Sequence, residues 1–187
     1  MTDGLSRHRV TVDEYCRMAE DGRLDPDARI ELIEGEIVEM APMRASRAGD
    51  LTKLMYLFIR CFGGSALCRA RMPLRLDNYS EPEPDLALLV PREDFYEERH
   101  PTAADVFLLI EVNDSSSGRD PNTKISLYAR NGVPEVWILD LKRKRLDFYR
   151  APRGGTYTDV SSTANPGVIA LPVPPGITVD LSNWFDP

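Results

Sequence analysis

The chain is predicted to fold as one α/β domain covering residues 1–187, and three observations lead there. Short apolar runs at 86–90, 106–112 and 135–141 are rich in Val, Ile and Leu and bounded by turn-forming residues, which marks buried strands. Stretches at 11–21, 48–62 and 120–131 instead repeat their apolar residues at the helical period. A length of 187 residues, 42% of them hydrophobic and 28% charged, suits one domain with a sizeable core.

Residues 1–9 are polar and predict a loose leader. In the helix that follows, Thr11 stands as the cap with Glu14 three residues later, the spacing of a capping box, while Val12, Tyr15, Met18 and Ala19 form its apolar stripe. Residues 29–40 alternate around Ile30, Leu32, Ile37 and Val38 with Glu34-Gly35 between them, a hairpin pattern. The second helix presents Leu51, Leu54, Phe58 and Phe62 on a broad stripe and stops at Gly63-Gly64. Alternating apolar and basic residues over 67–76 predict a strand or hairpin that delivers Arg69, Arg71 and Arg75 to one side.

Between the first two core strands, 91–105 is a charged stretch that reads either as a cover for the site or as a solvated excursion. After the second, Ser115-Ser116-Ser117-Gly118 leads to a helix with Asp120 as cap and Pro121 at its first position, stopped by Asn131-Gly132. Residues 145–150 pair with 135–141 across Lys142-Arg143-Lys144, and 154–162 and 168–171 add short strands. Ile177, Val179, Leu181, Trp184 and Phe185 then seal an edge of the core or form a partner surface.

Composition narrows the function. No apolar run approaches the roughly 18 residues of a membrane span and the N-terminus is too polar for a signal peptide, so the expectation is a cytoplasmic protein without a membrane partner. Cys16, Cys61 and Cys68 lack zinc spacing and are odd in number, and with only His8 and His100 present a histidine triad is not expected. A net charge of -7 opposes strong nonspecific nucleic-acid binding. Yet between Ala41 and Ser80 seven basic residues outnumber two acids, so the positive charge is concentrated.

Two carboxylates stand out because burial makes an ionised acid costly unless it is paired or holds a cation. Asp85 opens the first core strand and Glu111 lies near the end of the second, on the face of Leu109 and Asn113. Were the strands neighbours, the two acids would converge and, with a strand carbonyl, form the hard oxygen environment that Mg²⁺ or Mn²⁺ prefers. The cation that metal-assisted hydrolysis tends to want is absent two residues after Glu111, where Asn113 stands. Lys124, one turn into the following helix and on one face with Tyr128, is the best candidate for it.

Pro84-Asp85, Leu109-Ile110-Glu111-Val112, Arg119-Asp120 with Lys124 and Tyr128, and the run from Val133-Pro134-Glu135 to Leu139-Asp140 together resemble the Uma-type endonuclease family. That family belongs to the PD-(D/E)xK, restriction-endonuclease-like superfamily, and the resemblance extends from about Glu31 to Phe185. It implies a mixed central sheet flanked by helices, Mg²⁺ (or Mn²⁺) held by Asp85 and Glu111, and hydrolysis of nucleic-acid phosphodiesters, DNA favoured. It also implies catalytic roles for Asp85, Glu111, Lys124 and Glu31, with the lysine moved from strand to helix. Glu31 is the accessory acid because it stands in the family's Glu-Leu-Ile-x-Gly setting; read from the hairpin alone, Glu31, Glu34, Glu36 and Glu39 form its wet side. Two departures are Arg47, where relatives commonly carry a His, and Pro121 early in the lysine helix. Arg47 and Arg71 are the candidate phosphate contacts, and the expected assembly is a homodimer. The competing expectation is a non-catalytic homodimeric binding or assembly module on the same fold, with the acids as remnants and the C-terminal apolar segment as its contact.

Overall fold

The computed structural model describes residues 8–114, 122–171 and 175–185. Helix α1 (Val12–Glu20) is followed by the hairpin β1 (Ile30–Ile33) and β2 (Glu36–Glu39), helix α2 (Ala45–Phe62), then β3 (Leu67–Arg69), β4 (Leu86–Leu89) and β5 (Val106–Asn113). Helix α3 (Asn122–Arg130), β6 (Glu135–Asp140), β7 (Arg145–Arg153), β8 (Thr156–Thr163), β9 (Val168–Ala170) and β10 (Thr178–Asp180) complete the order. Strands β3 to β8 form a six-stranded mixed sheet in sequence order, flanked by helices. Within that sheet β5 and β6 pair in parallel while the other neighbours are antiparallel, and α3 lies between them in the chain as the crossover that a parallel pair requires.

Every residue of β4 and of β6 is buried, which is why these strands read as continuous apolar runs instead of alternating ones. On one face Leu86, Leu88, Ile110, Trp137 and Phe148 meet Leu54, Phe58 and Phe62 of α2. Trp137 stands edge-on to Phe58 at 6.0 Å and to Phe148 at 5.4 Å, the arrangement that ring quadrupoles favour. The opposite face packs Ala87, Leu109, Val136 and Ile138 against Ile125, Tyr128 and Ala129 of α3. Each such large side chain contributes roughly 1.5–3 kcal/mol on burial, so the register of α3 over the sheet is well determined. Glu111 points to this second face.

Local signals held at several termini. Thr11 and Glu14 form the capping box on α1, and Gly63 closes α2 in the left-handed region at φ 53°. The β1–β2 turn uses Glu34 at φ 52° and Gly35 at φ 85°, the twisted turn that matches a hairpin.

The structure corrects one sequence-based expectation, the basic strand over 67–76, and bears on two stretches that the sequence left open between alternatives. The basic strand is only three residues long: Arg71 turns out of it at φ 52°, the Arg75 backbone bonds to Pro101, and the Arg75 guanidinium pairs with Asp13 at 2.8 Å. Arg75 therefore does not share a side with Arg71. The 91–105 stretch ties to itself through Arg92–Asp94 and Arg99–Asp105 pairs, with Tyr96 buried beneath and donating to the Val90 carbonyl at 2.7 Å. The C-terminal segment adds β10 against β9, burying Val179 and Leu181 in the core with Trp184 and Phe185 packed on it. It seals the core. The Ser115–Gly118 connection and the Asp120-Pro121 helix start lie outside the described residues. Among those described, no helix is long and apolar enough to cross a membrane, and the three cysteines are free thiols.

Candidate active site

Antiparallel pairing sets Leu86 opposite Ile110, so Asp85 and Glu111 come to the same end of adjacent strands. Asp85, 3% exposed, accepts the Val112 N–H on Oδ2 at 2.8 Å, which fixes its carboxylate relative to β5. From α3, the Tyr128 hydroxyl donates to Glu111 Oε1 at 2.6 Å and Lys124 Nζ lies 3.4 Å from the same oxygen. Helical i, i+4 spacing thus brings both side chains to one carboxylate. Lys124 Nζ also donates to Glu31 Oε2 at 2.8 Å. Glu31 is 1% exposed and its Oε2 takes the Glu83 N–H at 3.0 Å as well, so this hairpin acid turns inward while Glu34, Glu36 and Glu39 are exposed. Asp85, Glu111, Lys124 and Glu31 form one cluster.

Both candidate phosphate arginines border it. Arg47, in the first turn of α2, donates from Nη2 to Asp85 Oδ2 at 2.6 Å, and Arg71 Nη1 stands 3.7 Å from Asp85 Oδ1. Arg47 Nε and Arg71 Nη1 are buried without a hydrogen-bond partner. In front of these groups opens a cavity of about 780 Å³, walled by Ile33, Val38 and Met40 from the hairpin and by Asn113 and Thr123 beyond the acids. No residue from 91–105 lines it, so that stretch is a solvated excursion and not a cover.

Acids crowd the cavity. Burial pushes the Glu111 carboxyl above its ordinary range; the charges of Asp85 and Glu31 add to this, and Lys124 and the Tyr128 hydrogen bond pull the other way. Burial draws the Lys124 ammonium down, but Glu111 and Glu31 outweigh it and hold its pKa above the usual value, so it is charged at neutral pH. Tyr128 is raised well above the usual phenol by burial and by Glu111, which makes it a fixed donor. Glu83, half buried at the cavity wall, is raised by burial and by Glu31.

Among the described residues no group of three or more His, Cys, Asp or Glu side chains could hold a metal ion by itself. The Asp85 and Glu111 carboxylates line the cavity together and offer oxygen donors alone, and Mg²⁺ commonly takes one or two carboxylates, keeping water and substrate oxygens for its other positions. Those donors fit a hard divalent ion, with Arg47 as a competitor already on Asp85.

Sequence reasoning missed Glu83, whose spacing two residues before Asp85 was the available signal, and His8 and Arg9 at the cavity wall, for which there was none. It also named Tyr128 only as a neighbour of Lys124, when its hydroxyl makes the shorter contact to Glu111.

Residues 12–182 match the family described as "Uma2: Putative restriction endonuclease". Among solved structures, a crystal structure of a putative nuclease belonging to DUF820 from Anabaena variabilis is similar, with a TM-score of 0.67 and 16% identity over 87% of this chain and 89% of that chain. At that identity the likeness shows the fold. No curated protein sequence matches.

Proposed function

Because the chain belongs to the Uma2 family of restriction-endonuclease-like proteins, we propose that it is a divalent-metal-dependent endonuclease that hydrolyses phosphodiester bonds of nucleic acid, DNA favoured. The observation that carries the reading is the convergence of Asp85 and Glu111 with Lys124 within one cavity. Asp85 and Glu111 would hold Mg²⁺ or Mn²⁺, which when bound supplies Lewis acidity at the phosphate and acidifies water.

The protein's own groups do the rest. Lys124, kept charged and aimed by Glu31 at 2.8 Å, orients the attacking water and offsets charge that develops on the phosphorane oxygens. Glu31 acts through that ammonium as the accessory acid. Tyr128 holds Glu111 in one orientation from outside the cavity. Arg47 and Arg71 at the cavity would contact the scissile phosphate; their two unpartnered N–H groups suit a ligand rich in acceptor oxygens. We take the chain to act as one domain, in the cytoplasm as its free thiols suit, and as a homodimer. Val179 and Leu181 lie in the chain's own core, so any contact made by the C-terminal segment would use its partly buried Trp184 and Phe185.

The test is cleavage of mixed DNA and RNA with Mg²⁺ or Mn²⁺ by the wild type beside Asp85→Asn and Lys124→Ala. Both substitutions are expected to abolish cleavage while circular dichroism stays native. Equal activity in all three preparations would identify a contaminant and remove the reading. One observation favours the second reading, a non-catalytic binding or assembly module: Asp85 is already neutralised by Arg47 at 2.6 Å. Absence of Mn²⁺ binding at millimolar concentration would select it.

A further inference from the structure

We propose that Arg47 is a built-in counter-cation for Asp85 that an arriving divalent ion displaces, and that the freed guanidinium then grips the substrate phosphate, so that metal and phosphate bind cooperatively. The inference rests on the metal site proposed above and adds a coupling that the site itself does not require.

The resting pair is tight. Arg47 Nη2 sits 2.6 Å from Asp85 Oδ2, and the carboxylate is almost wholly buried, so without a cation there its charge would be left to the longer Arg71 contact at 3.7 Å. A divalent ion and a guanidinium are alternative solutions to the same electrostatic problem. Asp85 does not lose its place in the exchange, because the Val112 N–H holds the same oxygen at 2.8 Å.

The pair is also incomplete from the arginine's side. Arg47 Nε is buried without an acceptor, and across the carboxylate Arg71 Nη1 is equally unpartnered, 3.7 Å from Oδ1 and beyond hydrogen-bond distance. Buried donors left unmade are destabilising, so this resting pose leaves an unmet demand for acceptor oxygens between two guanidinium groups. A phosphodiester supplies them in the forked geometry that guanidinium matches.

Helix α2 sharpens the demand. Arg47 lies in its first turn, Arg44 occupies the N-cap position without a side-chain cap bond, and no acid stands in that turn. Positive side chains are thus gathered at the positive end of an 18-residue helix, the reverse of the usual preference, and an anion there relieves it. The cavity of about 780 Å³ gives the guanidinium room to turn off Asp85.

Exchange lowers apparent metal affinity by the fraction of time Arg47 holds the carboxylate, and a ligand that captures Arg47 restores it; linkage makes the effect reciprocal. The experiment is Mn²⁺ titration, followed by calorimetry and by the electron paramagnetic resonance of free Mn²⁺. The proteins are wild type, Arg47→Ala, Arg47→Met and Asp85→Asn, each with and without dimethyl phosphate, a phosphodiester anion used as an uncleaved probe.

Expected results are a several-fold tighter wild-type Mn²⁺ affinity when dimethyl phosphate is present, and about tenfold tighter binding by the Arg47 variants that no longer responds to it. Asp85→Asn abolishes binding. The metal-free Arg47 variants melt below wild type and recover on adding Mn²⁺, and Arg47→Met keeps the aliphatic stem should the alanine variant not fold. The wild-type arm needs no variant. Arg47 variants that bind Mn²⁺ no more tightly than wild type, with Asp85→Asn still abolishing binding, overturn the exchange and leave the metal site standing. No binding by wild type or either Arg47 variant overturns both.

Discussion

Replacing Tyr128 by Phe removes one oxygen and tests whether Glu111 must be held from behind. The ring is fully buried among Leu109, Ile125 and Val136 on the α3 side of the sheet, and Phe preserves that packing. What is lost is a 2.6 Å hydrogen bond to a buried carboxylate, a charge-assisted contact worth about 1.5–3 kcal/mol. If that bond fixes a metal ligand, the same energy is felt as a fall in metal affinity of about 10- to 100-fold, the range for outer partners of ligating groups. Loss of the bond also lets the Glu111 carboxyl rise further, so protons compete with the ion more strongly as pH falls. The assay is Mn²⁺ calorimetry at neutral pH, with urea denaturation alongside. Tyr157→Phe is the control: its hydroxyl donates to the Val133 carbonyl at 2.8 Å on the same face of the sheet, away from the cavity. That variant should lose roughly 0.5–1.5 kcal/mol of stability and no metal affinity. A Tyr128→Phe affinity within about twofold of wild type would refute the reasoning, since 1.4 kcal/mol is tenfold in an equilibrium constant.

Two further predictions lie outside the acidic cluster. The Asp105 carboxyl is pulled from 3.8 to about 2, chiefly by the hydrogen bond from Arg99 and then by the cap of Thr102. Its folded pKa is depressed, so its stabilisation is fully present above about pH 4 and is lost as pH falls through about 2. Allowing for the half-exposed Arg99, Asp105→Asn should lower the stability measured by urea denaturation at pH 7 by about 1–2 kcal/mol, with most of the difference gone by about pH 2 and no change in Mn²⁺ binding. Gly35→Ala should destabilise by at least about 1 kcal/mol and displace the segment at His8 and Arg9 that lines the cavity, because φ is 85° and an added Cβ would meet Arg9 Cβ at 2.7 Å. Thermal melting and the accessibility of His8 to carbethoxylation check both parts.

The features legible in the sequence are those encoded within a few residues. The capping box at Thr11 and Glu14, the turn at Glu34-Gly35 and the stop at Gly63 depend on adjacent residues alone, and all three stand where the residues indicate. The core strands announced themselves because burial on both faces demands apolar side chains throughout, and that same demand exposed Asp85 and Glu111 as anomalies. Contacts that join distant segments were not legible. Arg47 meets Asp85 from 38 positions away only because α2 docks its N-terminal turn over the sheet end. The direction of Arg75 hinged on the backbone leaving the strand at Arg71, a positive φ that no glycine foretold. Inward placement of Glu31 follows from how the β1–β2 hairpin lies against Glu83, which alternation within the hairpin leaves undetermined. Strand β10 was hidden because three residues, Thr178 to Asp180, carry too little periodicity to separate a strand from a loop.

The measurement that reaches the central claim most directly is anomalous diffraction from crystals of the wild-type protein soaked in Mn²⁺. The account predicts one strong peak in the cavity, about 2.1 Å from an oxygen of Asp85 and an oxygen of Glu111, with the Arg47 guanidinium turned off Asp85. A cavity with no peak and Arg47 still on Asp85, or a peak bound to neither acid, would contradict it.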